Sequence, residues 1–264
     1  MVSLRNVVAK FFQAFGYEVF HRSKMLPSGL AAHLRALFDV YKVDCVLDVG
    51  ANEGQYGRFL RQVVGFDGLL VSFEPAAEPY GILAASAAGD ANWITFNCAL
   101  GEQIAEKAFN VMTSSELNSF LDPTSSETTL FDPYNVVTRS EIVQMQTVDS
   151  VVAELRRTHG ARRIYLKTDT QGYDLQVIAG AAETLRDVVA LQTEVSFQRL
   201  YAGMPGYLDS LTELHGRGWD LSAFSPIQVD SSYRLIEADC VFVNRSEAHK
   251  LPVTLLRAPS LTGV

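Results

Sequence analysis

An α/β fold with a doubly wound, mostly parallel sheet follows from three observations on this sequence. Short apolar runs alternate with segments of helical periodicity, the pattern of strands joined by crossover helices. Several runs end on Asp, Glu or Gly, as buried parallel strands do where they open into a turn. Near the C-terminus, Trp219–Phe224 and Leu235–Val243 read as an antiparallel pair that closes the sheet. An N-terminal helical extension precedes this core.

The extension rests on Leu4, Val7, Val8, Phe11, Phe12, Phe15, Val19 and Phe20, an apolar helical stripe over residues 4–20 with basic residues between. It reads as a helix packed on the domain or on a second copy of the chain, or as one that touches anionic lipid. A second helix is expected over Leu30–Tyr41. Cys45–Gly50 is the first strand, and Gly54–Leu60 opens a helix with Asn52 as its cap. Leu69–Phe73 is the second strand, Ile82–Ala88 a helix and Trp93–Cys98 the third strand. Lys107–Met112 and Ile142–Val148 read as strands able to pair. Thr113–Glu141 between them is rich in Ser and Thr and carries Pro123 and Pro133. Such a long stretch without periodicity is a lid or binding loop, or else a tolerated surface insertion. Asp149–Thr158 is helical, Arg163–Asp169 a strand, Asp174–Leu185 a helix and Val189–Val195 a strand. Leu208–Arg217 is a helix that Gly218 suits as a terminus. The tail from Ser246 has little periodicity. The expected division is an extension over 1–42, one domain over 43–245 and a tail over 246–264.

Composition narrows the function. The 264 residues are 48% apolar and 20% charged, enough for one packed core. The net charge of -8 argues against a nucleic-acid binder with a broad basic face. Residues 1–25 alone carry +3, which leaves -11 on the rest. Cys45, Cys98 and Cys240 form no close pair, so neither a disulfide framework nor a cysteine zinc site is expected, and a reducing compartment fits. No apolar run has the length of a membrane span and no signal peptide is evident, which reads as a cytoplasmic protein. His21, His33, His159, His215 and His249 stand apart from the expected strand ends and from any metal-binding spacing.

One constellation carries chemistry. Asp48-Val49-Gly50-Ala51-Asn52-Glu53-Gly54 lies at a strand-to-helix turn. Gly50 and Gly54 let the backbone turn tightly and let a ligand approach it, and the helix behind presents free N–H groups. Glu74 ends the next strand, where a carboxylate can accept both hydrogen bonds of a ribose diol. The plain alternative is a strand–helix turn with a solvated Glu. A dinucleotide fold normally offers Gly-x-Gly-x-x-Gly around a pyrophosphate, whereas this turn spaces Gly50, Gly54 and Gly57 differently. Asp48 would repel a pyrophosphate and suit an ammonium, which favours S-adenosylmethionine over NAD.

The blocks Leu47–Gly54, Phe73-Glu74-Pro75, Asn97–Gly101, Thr147-Val148-Asp149 and Leu166–Gly172 follow one another in the order of FkbM-type methyltransferases, which the chain resembles over roughly residues 43–245. The resemblance implies a class I S-adenosylmethionine fold and O-methylation of a sugar or glycosylated metabolite: a glycolipid, polysaccharide or natural product. It implies that the turn with Asp48, Gly50, Ala51, Asn52 and Gly54 holds the methionine part and Glu74 the ribose, that Asn97–Leu100 with Cys98 and Ala99 lies beside the adenine, and that Tyr56 and Pro75 belong to the same cofactor site. The family commonly has Asp-x-Glu-Gly where this chain has Asp169-Thr170-Gln171-Gly172, and Gln171 can act neither as base nor as strong metal ligand.

Methyl transfer to a hydroxyl needs the oxygen aligned and its proton removed. Asp169 and Glu194 sit at or near the ends of parallel strands, where reacting groups gather in such a sheet, and are the expected base or hydroxyl-orienting groups. Alternatively Asp169 binds the cofactor or caps the next helix, and Glu194 pairs with Arg199. Lys167 shares a strand face with Asp169, as ion-pair partner or as structure. Ser115, Asn118 and Tyr173 are expected to contact the sugar. A divalent ion on Asp169, Glu194 and water stays open. The rivals are an NAD-dependent oxidoreductase, which leaves Asp48 unexplained, and a non-catalytic nucleoside-binding scaffold, which Gln171 favours. A homodimer is compatible with the apolar N-terminal stripe.

Overall fold

The structure, a computed structural model, describes residues 29–252. The helix expected over 4–20 lies outside them, as does most of the tail. The strands are β1 Cys45–Val49, β2 Leu69–Phe73, β3 Trp93–Phe96, β4 Ala99–Leu100, β5 Ala105–Met112, β6 Val137–Gln146, β7 Ile164–Thr168, β8 Val188–Ser196, β9 Trp219–Val229 and β10 Leu235–Asn244. Seven of them form the main sheet in the order β3-β2-β1-β7-β8-β10-β9. All its pairings are parallel except those of β10, which runs antiparallel to both β8 and β9. The doubly wound sheet with an antiparallel closing strand is thus the observed architecture.

Every residue of β1 and of β7 is buried, because helices cover both faces. Alternate residues go to opposite layers. Cys45, Leu47 and Val49 pack on one side with Val152, Leu155, Val177 and Leu214 from the helices Val148–His159, Asp174–Ala179 and Tyr207–Gly216. Val46, Leu70 and Tyr165 pack on the other with Leu34, Leu37, Phe38, Leu60 and Leu83. The helix Leu30–Tyr41 appears as expected and buries Leu34, Leu37, Phe38 and Tyr41, a stripe at helical spacing.

Four elements differ from the sequence reading. Asn52 does not cap the helix: it sits in the left-handed region at φ 46, and the helix Gln55–Phe59 starts from Gly54 without a side-chain cap. The third strand stops at Phe96, and Ala99–Leu100 joins a second, three-stranded sheet in the order β4-β6-β5. The helix from Asp174 ends at Ala179 rather than Leu185: the backbone leaves the helix at Gly180, φ -74 and ψ 4, which packs on the Gly101 carbonyl 1.9 Å from where a Cβ would stand. The loop ahead of β6 is not structureless. It contains a 3-10 turn at Ser115–Leu117 and isolated bridges from Ser119 to Asn110 and from Pro123 to Tyr201. A short helix, Arg245–Ala248, follows β10.

Candidate functional site

A cavity of about 680 Å³ opens at the carboxyl ends of β1, β2, β7 and β8. Val49, Gly50, Ala51, Asn52, Tyr56, Glu74, Pro75, Cys98 and Ala99 line one part of it, and Ser115, Asn118, Asp169, Gln171, Glu194 and Glu237 another. Leu30, Phe59, Phe109, Leu117, Phe120, Phe131 and Ile227 supply apolar wall.

The first part is built around Glu74. Gly50 and Ala51 donate their N–H groups to the Phe73 carbonyl at 3.0 and 2.9 Å, which pins the turn against β2. The left-handed Asn52 then donates its N–H to Glu74 Oε2 at 2.9 Å, and Ala76 donates to Oε1 at 2.9 Å. Asn97 Nδ2 clamps the Glu74 and Pro75 carbonyls at 2.9 and 3.0 Å. Burial pushes the Glu74 carboxyl up to about 7, against the pull of those two N–H donors. Each oxygen keeps a lone pair for a diol hydroxyl. Asn52 Oδ1 is buried with no partner in the protein, an acceptor that suits an ammonium. The donor set and this orphaned oxygen fit a ligand that carries both an ammonium and a ribose diol, as S-adenosylmethionine does.

Three of the expected site residues do not line the cavity. Asp48 is fully buried beneath it. Its carboxylate receives Ser72 Oγ at 3.0 Å and pairs with Lys167 Nζ at 3.2 Å, because the β1–β7 register sets Asp48 beside Lys167. No ammonium of a ligand reaches it. Gly54 packs under Leu83 and Trp93, and Gly57 under the Trp93 ring, 2.1 Å from where a Cβ would stand. Both glycines serve helix–sheet packing, not ligand approach. Gly50 does line the cavity, yet what requires its missing side chain is the Asp169 carbonyl, 1.8 Å from a Cβ position. Tyr173 is buried between Phe120, 4.8 Å away, and the Lys107 ammonium, 4.4 Å from the ring centre. It anchors the small sheet and offers no face to a sugar.

The second part gathers acids. Asp169 follows β7 and pairs with Lys167 Nζ at 3.3 Å, so this buried lysine bridges Asp48 and Asp169. Lys167 also lies 5.0 Å from the centre of the Tyr56 ring. Burial alone would lower its pKa, but the charges of Asp169, Asp48 and Asp239 overcome this and raise it. Glu194 is half-buried. Burial first, then the charges of Glu237, Asp169, Asp239 and Asp174, raise its carboxyl well above the usual range. Arg199 does not reach Glu194 and pairs with Glu127 at 3.3 Å. Gln171 bridges the two acids, its Nε2 donating to Asp169 Oδ1 at 3.2 Å and to Glu194 Oε2 at 2.9 Å. Asn118 Oδ1 accepts the Met112 N–H at 2.8 Å, while its buried Nδ2 has no protein partner.

Sequence reasoning missed Glu237, which lines the cavity from β10. An acid inside the buried run Ile236–Cys240 was the signal for it. The aromatic wall of Phe120 and Phe131 had none, since the loop that carries them lacks periodicity. Among the described residues no group of three or more His, Cys, Asp and Glu is placed to hold a metal ion. None of the described helices is long and apolar enough to cross a membrane. Cys45, Cys98 and Cys240 are free and buried.

The family model for the "Methyltransferase FkbM domain" matches residues 48–221. No curated protein matches the chain. Among solved structures, an rRNA methylase from Streptococcus thermophilus aligns with a TM-score of 0.41 at 11% identity, covering 82% of this chain and 97% of that one. Aeropyrum pernix fibrillarin in complex with natively bound S-adenosyl-L-methionine aligns at 0.40 and 11%, covering 81% and 73%. A SAM-dependent methyltransferase from Aquifex aeolicus aligns at 0.39 and 12%, covering 86% and 100%.

Proposed function

The chain belongs to the FkbM methyltransferase family, and from that premise we propose that it is an O-methyltransferase acting on a hydroxyl of a sugar or glycosylated metabolite. Its fold is the class I methyltransferase type and its cofactor is S-adenosylmethionine. The observation that carries the proposal is one cavity shared by a carboxylate suited to a ribose, Glu74, and a pair of carboxylates joined by an amide, Asp169 and Glu194.

When bound, S-adenosylmethionine supplies an electrophilic methyl group on a sulfonium. A hydroxyl aligned with it would take the methyl group as the C–S bond breaks, leaving S-adenosylhomocysteine, and would give its proton to a carboxylate of the cavity. Asp169 is the first choice for that base, because its side chain is 42% exposed and held at one edge by Lys167. Glu194 then orients the hydroxyl. Asn118 Nδ2 and Ser115 supply donors for neighbouring hydroxyls, which supports a polyol acceptor. The apolar wall excludes water from the reaction.

The test is calorimetric titration with S-adenosylmethionine, S-adenosylhomocysteine and NAD, followed by a screen of sugar and glycoside acceptors. Binding of the first two and a methyl ether product are expected. Binding of NAD alone would overturn the reading, and transfer to nitrogen or carbon acceptors only would overturn its oxygen specificity.

A further inference from the structure

Gln171 occupies a position that its neighbours define closely. Its backbone is left-handed at φ 50, a conformation that disfavours a residue with a side chain. Ser119 Oγ holds it there by donating to the Gln171 carbonyl at 2.7 Å. The side chain then lies between Asp169 and Glu194, and its Nε2 donates to both. An amide nitrogen has two hydrogens, and each here meets a different carboxyl group. Among the described residues no other side chain donates a hydrogen bond to the Glu194 carboxyl. The two carboxyl groups set the amide orientation by taking its N–H end, and behind it the buried Tyr201 hydroxyl has one hydrogen to share between the Leu117 carbonyl at 2.7 Å and Gln171 Oε1 at 3.0 Å.

We propose that Gln171 is a positioning residue for methyl transfer, a neutral two-pronged donor that holds Asp169 and Glu194 side by side in the cavity and keeps Glu194 able to ionise there. The proposal rests on the reading above, in which these two acids handle the acceptor hydroxyl. Its physical basis is charge. Glu194 faces Asp169 and Asp174 beyond β7, Glu237 and Asp239 on β10, and Tyr201 beyond β8. Lys167 meets Asp169 from β7 and does not bond to Glu194. A neutral N–H donor is therefore what this crowded set admits between the acids. A carboxylate at 171 would add one more negative charge, and an apolar side chain would leave the Glu194 oxygen with no donor.

The test is a titration of Glu194 by carboxyl carbon NMR in protein labelled at glutamate, its signal assigned with Glu194→Gln. It requires neither cofactor nor acceptor, so failure of the function and failure of this proposal are separable. Gln171→Met keeps the length and removes the donor. Its Glu194 midpoint is expected at least one pH unit above wild type, a tenfold change in proton affinity. Gln171→Glu should show a comparable rise together with one additional titrating carboxyl. Should Gln171→Met fail to fold, Gln171→Asn suits the left-handed backbone, lacks the reach and should raise the midpoint equally. With the acceptor identified, kcat should fall and the KM for S-adenosylmethionine should hold. A Glu194 titration in a folded Gln171→Met or Gln171→Asn variant that superimposes on wild type would overturn the proposal.

Discussion

Gly50→Ala tests how the turn after β1 is fitted to the end of β7. The backbone there has φ 78, so a side chain brings about 1–2 kcal/mol of left-handed strain. The added Cβ would stand 1.8 Å from the Asp169 carbonyl oxygen, where ordinary contact begins at 3.4 Å. The two segments must therefore part by about 1.6 Å, and neither end is a flexible side chain. That separation pulls on the Asp169 N–H to Val49 carbonyl bond of 3.0 Å and on the Gly50 N–H to Phe73 carbonyl bond of 3.0 Å. Losing one such bond costs about 1 kcal/mol, and overpacking adds about 1–3 kcal/mol. The sum is about 3–6 kcal/mol, which lowers the melting temperature of a domain this size by at least about 6 °C, at about 2–4 °C per kcal/mol. The same movement displaces Asn52 from Glu74, so S-adenosylmethionine affinity should fall at least about tenfold by calorimetry, the loss of about one hydrogen bond to a charged group. A melting temperature within about 2 °C of wild type together with unchanged affinity would refute the reasoning, because the turn would then have room that the structure denies.

Glu74→Ala should abolish S-adenosylmethionine binding while the melting curve stays cooperative; calorimetry showing wild-type affinity would remove Glu74 from the site. Asp169→Asn should bind S-adenosylmethionine and lose turnover by a factor of about 100 or more, the scale of a removed general base; full activity would transfer that role to Glu194. Burial chiefly, with the charges of Asp169, Asp174 and Asp239 added, raises the Glu237 carboxyl above its ordinary value of 4.5. The folded state thus holds a proton that the unfolded state has released, and this group makes stability fall as pH rises above the ordinary value. Glu237→Gln should flatten that fall, with chemical unfolding at pH 4.5 and pH 8 as the measure; an unaltered pH dependence would place the titration elsewhere.

The strand ladder was legible because each buried strand is a short apolar run that stops at a polar turn, a purely local signal. The acids at those stops, Glu74 and Asp169, were legible for the same reason. What the sequence hid depends on contacts between distant segments. Asp48 reads as a ligand for an ammonium until the register of β1 against β7 sets Lys167 beside it. Gly54 and Gly57 read as a ligand-binding turn until Trp93, on the third strand, fills the space above them. Gly180 reads as a helix-interior residue until it is seen at the helix end, packed on Gly101 far from it in the chain. Tyr173 reads as a sugar platform until Lys107 and Phe120 enclose it. Gln171, a departure from the family pattern in the sequence, becomes intelligible only when Asp169 and Glu194 are seen on either side of its amide.

The place of β10 bears on how the molecule assembles. It is the last of the described strands in the chain, yet it lies inside the sheet, and β9 touches the sheet only through it. During synthesis β9 therefore emerges with no strand to dock on, and waits for β10 to complete a hairpin that adds to β8 as one unit. Until then the edge of β8 is an open template for pairing with other chains. A product ending before Leu235 would forfeit two strands rather than one, and with them Glu237. The methyltransferase cannot acquire its full set of cavity acids until nearly all of its domain has left the ribosome.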